Sequence, residues 1–223
     1  FYTRVLETMS ENPLLQAEAV IELPEQATSY SRKSDTSRRI IRDHRRSRTA
    51  VEAIEGLSRD REIYGLTKGL FSLADLLMAS LEVTGPAHMD ISTWTAASAD
   101  LTRIHELIGG GKILSTRWLV DFSFQRRAPA LASQLREQFG RDAVRVSKNH
   151  AKLAILKNDA WDLVIQTSMN LNTNPRFENF HAAHDPELAA FYRSILDEIW
   201  SVQSPSMALE RPSEIVRHYN DDL

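Results

Sequence analysis

The sequence predicts an α/β fold in which helices pack against a mixed β-sheet. Strand and helix signals alternate from about residue 63 to residue 202, and this alternation is typical of α/β sandwiches. The chain has 223 residues, of which 42% are hydrophobic, enough for one good-sized core. The clearest helix carries apolar residues at helical spacing: Leu188, Phe191, Ile195, Ile199 and Val202.

Three parts are predicted along the chain. Residues 1–60 form a helical, basic N-terminal segment, residues 61–203 form the α/β domain, and residues 204–223 form a polar tail. Within the first part, residues 4–22 have a helical pattern, residues 24–37 are typical of a linker, and a second helical pattern covers about residues 37–57.

The elements of the α/β domain follow from local signals. Ser72 is a candidate N-cap for the first helix, Gly109 to Gly111 end the second, and Pro129 opens the third. Helices are predicted over residues 73–81, 98–108, 129–139 and 187–202. Strands are predicted over residues 89–95, 112–119, 143–147, 150–157 and 162–170.

The net charge of −3 conceals a basic run between residues 29 and 48. Only Asp35 and Asp43 oppose its eight cations, which are Arg32, Lys33, Arg38, Arg39, Arg42, Arg45, Arg46 and Arg48. Such runs often contact phosphate, but they also occur as solvated helices or linkers, and no base-reading motif accompanies this one. Both interpretations remain open.

Composition excludes several functional classes. The chain has no cysteine, so disulfides, cysteine-ligated zinc and thiol nucleophiles are excluded, and a cytoplasmic location is expected. No apolar run approaches the length of a membrane span, so no membrane partner is expected. His181 and His184 lack an acidic or third histidine partner at helix spacing, so no metal site is predicted.

One set of polar residues has the composition of a phosphate site. His150 and Lys152 alternate along a predicted strand and therefore share a face, as do Ser168 and Asn170 on the next strand. A hairpin brings the two pairs together, and Glu178 follows in a loop. The histidine can attack phosphorus, the lysine and asparagine can bind phosphate oxygens, and the glutamate can orient the imidazole.

The order His150-x-Lys152, Ser168-x-Asn170, Glu178 resembles the signature of the phospholipase D superfamily over roughly the last two thirds of the chain. The resemblance implies a mixed-sheet sandwich with helices on both faces and a cofactor-free site. Lys157 stands where the family has an Asp, and Thr167 where it has a Gly. The family mechanism uses two histidines, and the chain carries one copy of the motif, so the resemblance implies a homodimer with a shared site.

The predicted function is a metal-independent phosphodiesterase, a nuclease or another enzyme of nucleic acids, acting through a phospho-histidine. Its catalytic residues are His150, Lys152, Asn170 and Glu178, and Ser168 assists phosphate binding. Candidate nucleic-acid contacts are Arg38, Arg39, Arg42, Arg45, Arg46, Lys68 and Trp94. The alternative is a non-catalytic phospholipase D-like protein that binds nucleic acid or a protein partner. A lipid hydrolase is disfavoured because no amphipathic membrane helix is evident.

Overall fold

The computed structural model describes residues 35–45 and 47–203, and its centre is one eight-stranded sheet. The strands are β1 (Arg39–Asp43), β2 (Glu62–Thr67), β3 (Ala87–Thr93), β4 (Ile113–Asp121), β5 (Val144–Ser147), β6 (Leu153–Lys157), β7 (Asp162–Thr167) and β8 (Glu178–His184). The helices are α1 (Ala50–Ile54), α2 (Leu73–Thr84), α3 (Ser98–Gly109), α4 (Phe124–Arg127), α5 (Pro129–Phe139) and α6 (Pro186–Val202).

The sheet is mixed, as the sequence predicts. Its strand order is β1-β2-β8-β7-β6-β3-β4-β5. The pairs β1/β2, β3/β4 and β4/β5 are parallel, and the four pairs from β2 through β8, β7 and β6 to β3 are antiparallel. The two hairpin strands β6 and β7 therefore lie at the centre of the sheet, where both faces are available for packing.

Helices cover both faces of the sheet, which confirms the predicted sandwich. The main core lies on one face, where α1, α2, α3 and α5 pack around residues such as Leu76, Ile104 and Trp118. On the other face, α6 packs against Ile155 of β6 and Val164 of β7. Adjacent strand residues point to opposite faces, so Ala154 belongs to the main core while Ile155 contacts α6.

The expected helices of the α/β domain are confirmed, and α2 and α6 have side-chain caps, whereas α3 begins after Ala97 without one. The Ser72 hydroxyl accepts a hydrogen bond from the backbone of Asp75, and the Asp75 carboxylate accepts one from the backbone of Ser72, which completes a capping box. Asp185 caps α6, and Pro186 occupies its first turn. None of the described helices is long and apolar enough to cross a membrane.

The helix predicted over residues 37–57 is wrong. Residues 39–43 instead form β1, which pairs with β2, so the sheet begins at Arg39 and not after residue 60. Ile40 packs against the main core while Ile41 is exposed, an alternation typical of a strand, and only the short α1 is helical. The remaining expectations for the N-terminal segment, over residues 4–34, and the polar tail lie outside the described residues.

The segment after the hairpin also departs from prediction. Glu178, expected in a loop, instead begins β8, which lies between β2 and β7. The ring of Phe180 in β8 lies over Gly65 of β2, where a Cβ would come within 2.0 Å of the ring. This close approach explains why β2 carries a glycine in its interior.

Candidate phosphate site

An open depression of about 1370 Å³ crosses the face of the sheet that carries α6. His150, Lys152 and Ser168 line one end of it, and residues of β1 and β2 line the other. Leu188, Phe191 and Tyr192 of α6 also line the depression. Three of the predicted site residues therefore share one concave surface.

His150 and Lys152 are in direct contact. The Lys152 ammonium lies 3.1 Å and 3.2 Å from the two ring nitrogens of His150 and donates to the His150 carbonyl at 2.8 Å. An ammonium only donates, so a ring nitrogen that bonds it accepts and carries no proton. The contact therefore places a cation directly beside the imidazole.

The pKa of Lys152 is lowered, chiefly because partial burial disfavours its charged form, and the nearby Glu178 carboxylate opposes the shift. The backbone carbonyl of Lys152 accepts a hydrogen bond from Thr167, which ties the motif to the end of β7. His150 and Lys152 lie just before β6, which begins at Leu153, and not on the strand as predicted. Extended backbone before β6 still places the two side chains together.

Asn149 holds the segment that presents His150. Its buried amide donates to the Ser92 hydroxyl at 2.9 Å and to the Leu119 carbonyl at 3.2 Å, and its oxygen accepts from the Ala151 backbone at 3.0 Å. Its own backbone N–H donates to the Asp121 carboxylate at 3.1 Å. The histidine is thus fixed to β3, the neighbour of β6, and to β4, the next strand along the sheet.

The Trp94 ring lies beside the His150 ring. The two rings meet edge-on, with 5.8 Å between centroids. The Arg127 guanidinium stacks 3.7 Å from the centre of the Trp94 ring and donates to the Trp94 carbonyl at 2.7 Å. Trp94, predicted as a nucleic-acid contact, therefore adjoins the candidate nucleophile, with a cation behind it.

Glu178 does not have the predicted contact with His150. Its carboxylate accepts a hydrogen bond from the Ser168 hydroxyl, which in turn accepts the backbone N–H of Asn179 at 3.0 Å. The structure therefore gives the Glu178 carboxylate a hydrogen bond to Ser168, and its predicted role in orienting His150 stays a prediction. Since Glu178 begins β8 and Ser168 follows β7, register across this strand pair sets the contact.

Asn170 contacts β3 and the start of α2. Its side-chain oxygen is 3.5 Å from the Thr93 hydroxyl, at the carboxyl end of β3, and its backbone carbonyl accepts the first N–H of α2 from Leu73. Asn170 is not among the residues that line the open depression, whereas Ser168 is. The structure therefore places His150, Lys152 and Ser168 along the depression and Asn170 against the Thr93 hydroxyl.

Lys157 leaves the hairpin intact. It pairs with Asp162 directly across β6 and β7, and the two side chains form an ion pair. Asn158 closes the turn by accepting the backbone N–H groups of Ala160 and Trp161. Lys157 lies at the opposite end of β6 from His150, so the replaced aspartate position is remote from the phosphate site.

The described cations of the basic run make separate contacts. Arg38 donates to the backbone carbonyls of Arg59 and Asp60, and Arg42 donates to that of Glu55. Arg45 follows β1, and its backbone donates to the Asp43 carboxylate, while Lys68 lies over the Phe177 ring, 5.5 Å from its centre. Arg46 lies outside the described residues. Of these predicted contacts, Arg39 and Arg42 line the depression.

The depression also contains a polar cluster that the sequence did not predict. Glu62 is buried, and its carboxylate lies 3.1 Å from His181 and 3.8 Å from Arg39. Tyr64 stacks on His181 with ring centres 4.2 Å apart. Glu62 and His181 are 119 residues apart in sequence, so only the pairing of β2 with β8 could have revealed them. The hydrogen bonds by which Asn149 holds the His150 segment were not predicted either, although Asn149 directly precedes the histidine.

The described residues contain no group of three or more histidines, cysteines or carboxylates arranged to hold a metal ion. His181 bonds Glu62, and His184 accepts the backbone N–H of Asp162 at 3.1 Å. The pKa of His184 is lowered, mainly because burial disfavours its charged form. The two histidines therefore serve separate hydrogen-bond networks.

No family model and no curated protein sequence matches the chain. Solved structures do match. NucT from Helicobacter pylori is 15% identical, with a TM-score of 0.45, over 63% of this chain and 97% of that one. Nuc from Salmonella typhimurium, a phospholipase D family member, is 15% identical, with a TM-score of 0.44, over 63% and 93%.

Polyphosphate kinase from Porphyromonas gingivalis is 14% identical, with a TM-score of 0.46, over 66% of this chain and 26% of that one. Identities of this size concern the fold alone, and the chemistry of the site depends on the residues described above.

Proposed function

We propose that this chain is a phospholipase D-like, metal-independent phosphodiesterase that acts on nucleic acid as a homodimer. One observation carries the proposal: the Lys152 ammonium lies 3.1 Å from a ring nitrogen of an exposed histidine, His150, at the end of an open depression. A nucleophile with a lone pair and a cation for the phosphate oxygens are the two groups that attack on phosphorus requires.

The proposed reaction has two displacements. An unprotonated ring nitrogen of His150 attacks phosphorus, and a P–N bond forms as the bond to the leaving oxygen breaks. The leaving oxygen takes a proton from a second histidine. Water then attacks phosphorus and loses a proton to that second histidine, and the P–N bond breaks to release His150. Lys152, which lines the depression, binds the non-bridging oxygens throughout, and Ser168 joins it when its hydroxyl turns from the Glu178 carboxylate to the phosphate.

The second histidine is the reason for proposing a homodimer. His181 also lines the depression, but its ring nitrogens lie 3.1 Å from Glu62 and 3.4 Å from Gln166. It therefore already serves a buried network on β8. A second copy related by a two-fold axis can supply the partner's His150 as general acid, because such an axis places identical groups opposite one another.

A non-catalytic binding protein is the second candidate. The Glu178 carboxylate bonds Ser168, so no carboxylate in the described chain orients the His150 ring. A site without that support can bind phosphate through Lys152 without efficient attack by the histidine. The two candidates differ in turnover and not in phosphate binding.

A cleavage assay in EDTA distinguishes the phosphodiesterase from the non-catalytic binding protein. The protein is incubated with single- and double-stranded DNA and with RNA, beside His150→Ala and a matched control, His88→Ala, which changes an exposed histidine that bonds Ser115 on the sheet. Cleavage by the parent and the control but not by His150→Ala supports the enzyme. Binding without cleavage by all three would overturn it. Light scattering should give a dimer, and a strict monomer would remove the second histidine from the mechanism.

A further inference from the structure

The open depression extends well beyond the phosphate site. Directly paired residues form one row across it, from Leu153 through Gln166, His181 and Tyr64 to Ile41. Four strand spacings give this row a length of about 19 Å. The surface that continues from His150 is therefore long enough for several monomers of a chain-like substrate.

The distal half of the row, on β1 and β2, is uncovered and partly apolar. Ile41 is 79% exposed, Leu66 44% and Tyr64 37%. Phe191 and Tyr192 line the same depression from α6. Aromatic groups thus flank an open floor, which is the arrangement on which unpaired bases stack.

The charges of the depression favour an anion. Lys152 lies at one end and Arg39 at the other, with its guanidinium 5.3 Å from the centre of the Tyr64 ring. Arg42 is a third cation of the lining, against two buried carboxylates: Glu62, which lies 3.8 Å from Arg39, and Asp185, which caps α6. Cations at both ends of the depression favour a polyanionic ligand over a protein partner, because the centre of a protein–protein interface is depleted of charged residues.

We propose that this depression binds single-stranded nucleic acid, with the scissile phosphate at His150 and the flanking nucleotides laid across β7, β8 and β2 toward Arg39. The inference rests on the proposed phosphodiesterase function and adds its substrate class. Bases stack in the part lined by Tyr64, Phe191 and Tyr192, where the Arg39 guanidinium moves off the Tyr64 ring to bind a distal phosphate. A duplex is excluded, because its paired bases cannot reach the aromatic groups.

Length-dependent binding tests the proposal. Full-length protein carrying His150→Ala, which prevents turnover, is titrated in EDTA with thymidine oligonucleotides of two and eight residues and with an eight-base-pair duplex. The single-stranded octamer should bind at least about tenfold more tightly than the dinucleotide or the duplex, because stacked bases contribute separately. Equal affinity for the three ligands would overturn the proposal.

Substitutions on the row locate the binding. Tyr64→Leu should weaken octamer binding about tenfold, and Tyr64→Phe, which keeps the ring, should stay within about twofold of the parent. Arg39→Gln should weaken binding and reduce the slope of log affinity against log salt by about one. Arg61→Gln removes an exposed arginine outside the depression and is the matched control.

The outcomes separate this inference from the proposed function. If the parent hydrolyses bis(p-nitrophenyl) phosphate but shows no length dependence in binding, the inference fails and the phosphodiesterase stands. If the octamer binds as expected and no phosphodiester is cleaved, the phosphodiesterase fails. If Tyr64→Leu dissociates a dimer in light scattering, a second copy occupies the face and the inference is wrong.

Discussion

Replacement of Asn149 by alanine should weaken the fold and the phosphate site together. The substitution removes three side-chain hydrogen bonds, to Ser92, Leu119 and Ala151. Each contributes about 1 kcal/mol net, so the free energy of unfolding should fall by about 3 kcal/mol. For a domain of this size, that loss lowers the melting temperature by about 6–12 °C.

The assay compares Asn149→Ala with Asn158→Ala. Asn158 donates to the carbonyls of Thr84 and Pro86 and accepts two backbone N–H groups, but it lies in the turn at the far end of β6. Urea unfolding should show substantial destabilisation of both variants. Phosphodiester hydrolysis, measured well below both midpoints, should fall only in Asn149→Ala, because only that variant frees the His150 segment from β3 and β4.

Two results would refute the reasoning. A loss below about 1 kcal/mol in Asn149→Ala would mean that water replaces the three bonds at no cost, which contradicts burial of the amide. An equal loss of hydrolysis in both variants would mean that general destabilisation, and not release of the histidine, lowers activity.

Three further changes test separate features. Lys152→Met should raise the melting temperature at neutral pH. Burial lowers the pKa of Lys152 in the folded state, so the charged lysine destabilises the fold fully at any pH below that pKa. This destabilisation fades as the pH rises toward the pKa of the lysine in the unfolded state. Gly65→Ala should destabilise by about 1–3 kcal/mol in urea titrations, because its Cβ would meet the Phe180 ring, and Phe180→Leu should recover part of the loss. Lys157→Asp should cost about 0.2–1 kcal/mol by facing Asp162 with a like charge, and the swapped pair Lys157→Asp with Asp162→Lys should restore stability without changing hydrolysis.

Local patterns were sufficient for much of the fold. The period of α6, the cap at Ser72 and the alternation of β6 and β7 each arise from residues close in sequence, so these elements were predicted near their observed positions. The partnership of His150 with Lys152 was also predicted, because two residues separated by one neighbour share a side of an extended chain.

The features that the sequence did not predict depend on pairing between strands that are distant in sequence. The β1 segment carries arginines on both faces, and this charged pattern predicted a helix. Its pairing with β2 instead makes it an edge strand of the sheet. Glu178 was assigned to His150 because both belong to one motif. The register between β7 and β8 instead places its carboxylate on Ser168, and no local signal specifies that register.

The most direct test of the central claim is mass spectrometry of the protein stopped during turnover in EDTA at neutral to alkaline pH. A nucleophilic His150 predicts a phosphoryl adduct on the peptide that contains this residue, and the adduct should disappear when substrate is exhausted and be absent from His150→Ala. Continued turnover by His150→Ala, or steady cleavage by the parent with no adduct on His150 at any time, would contradict the account.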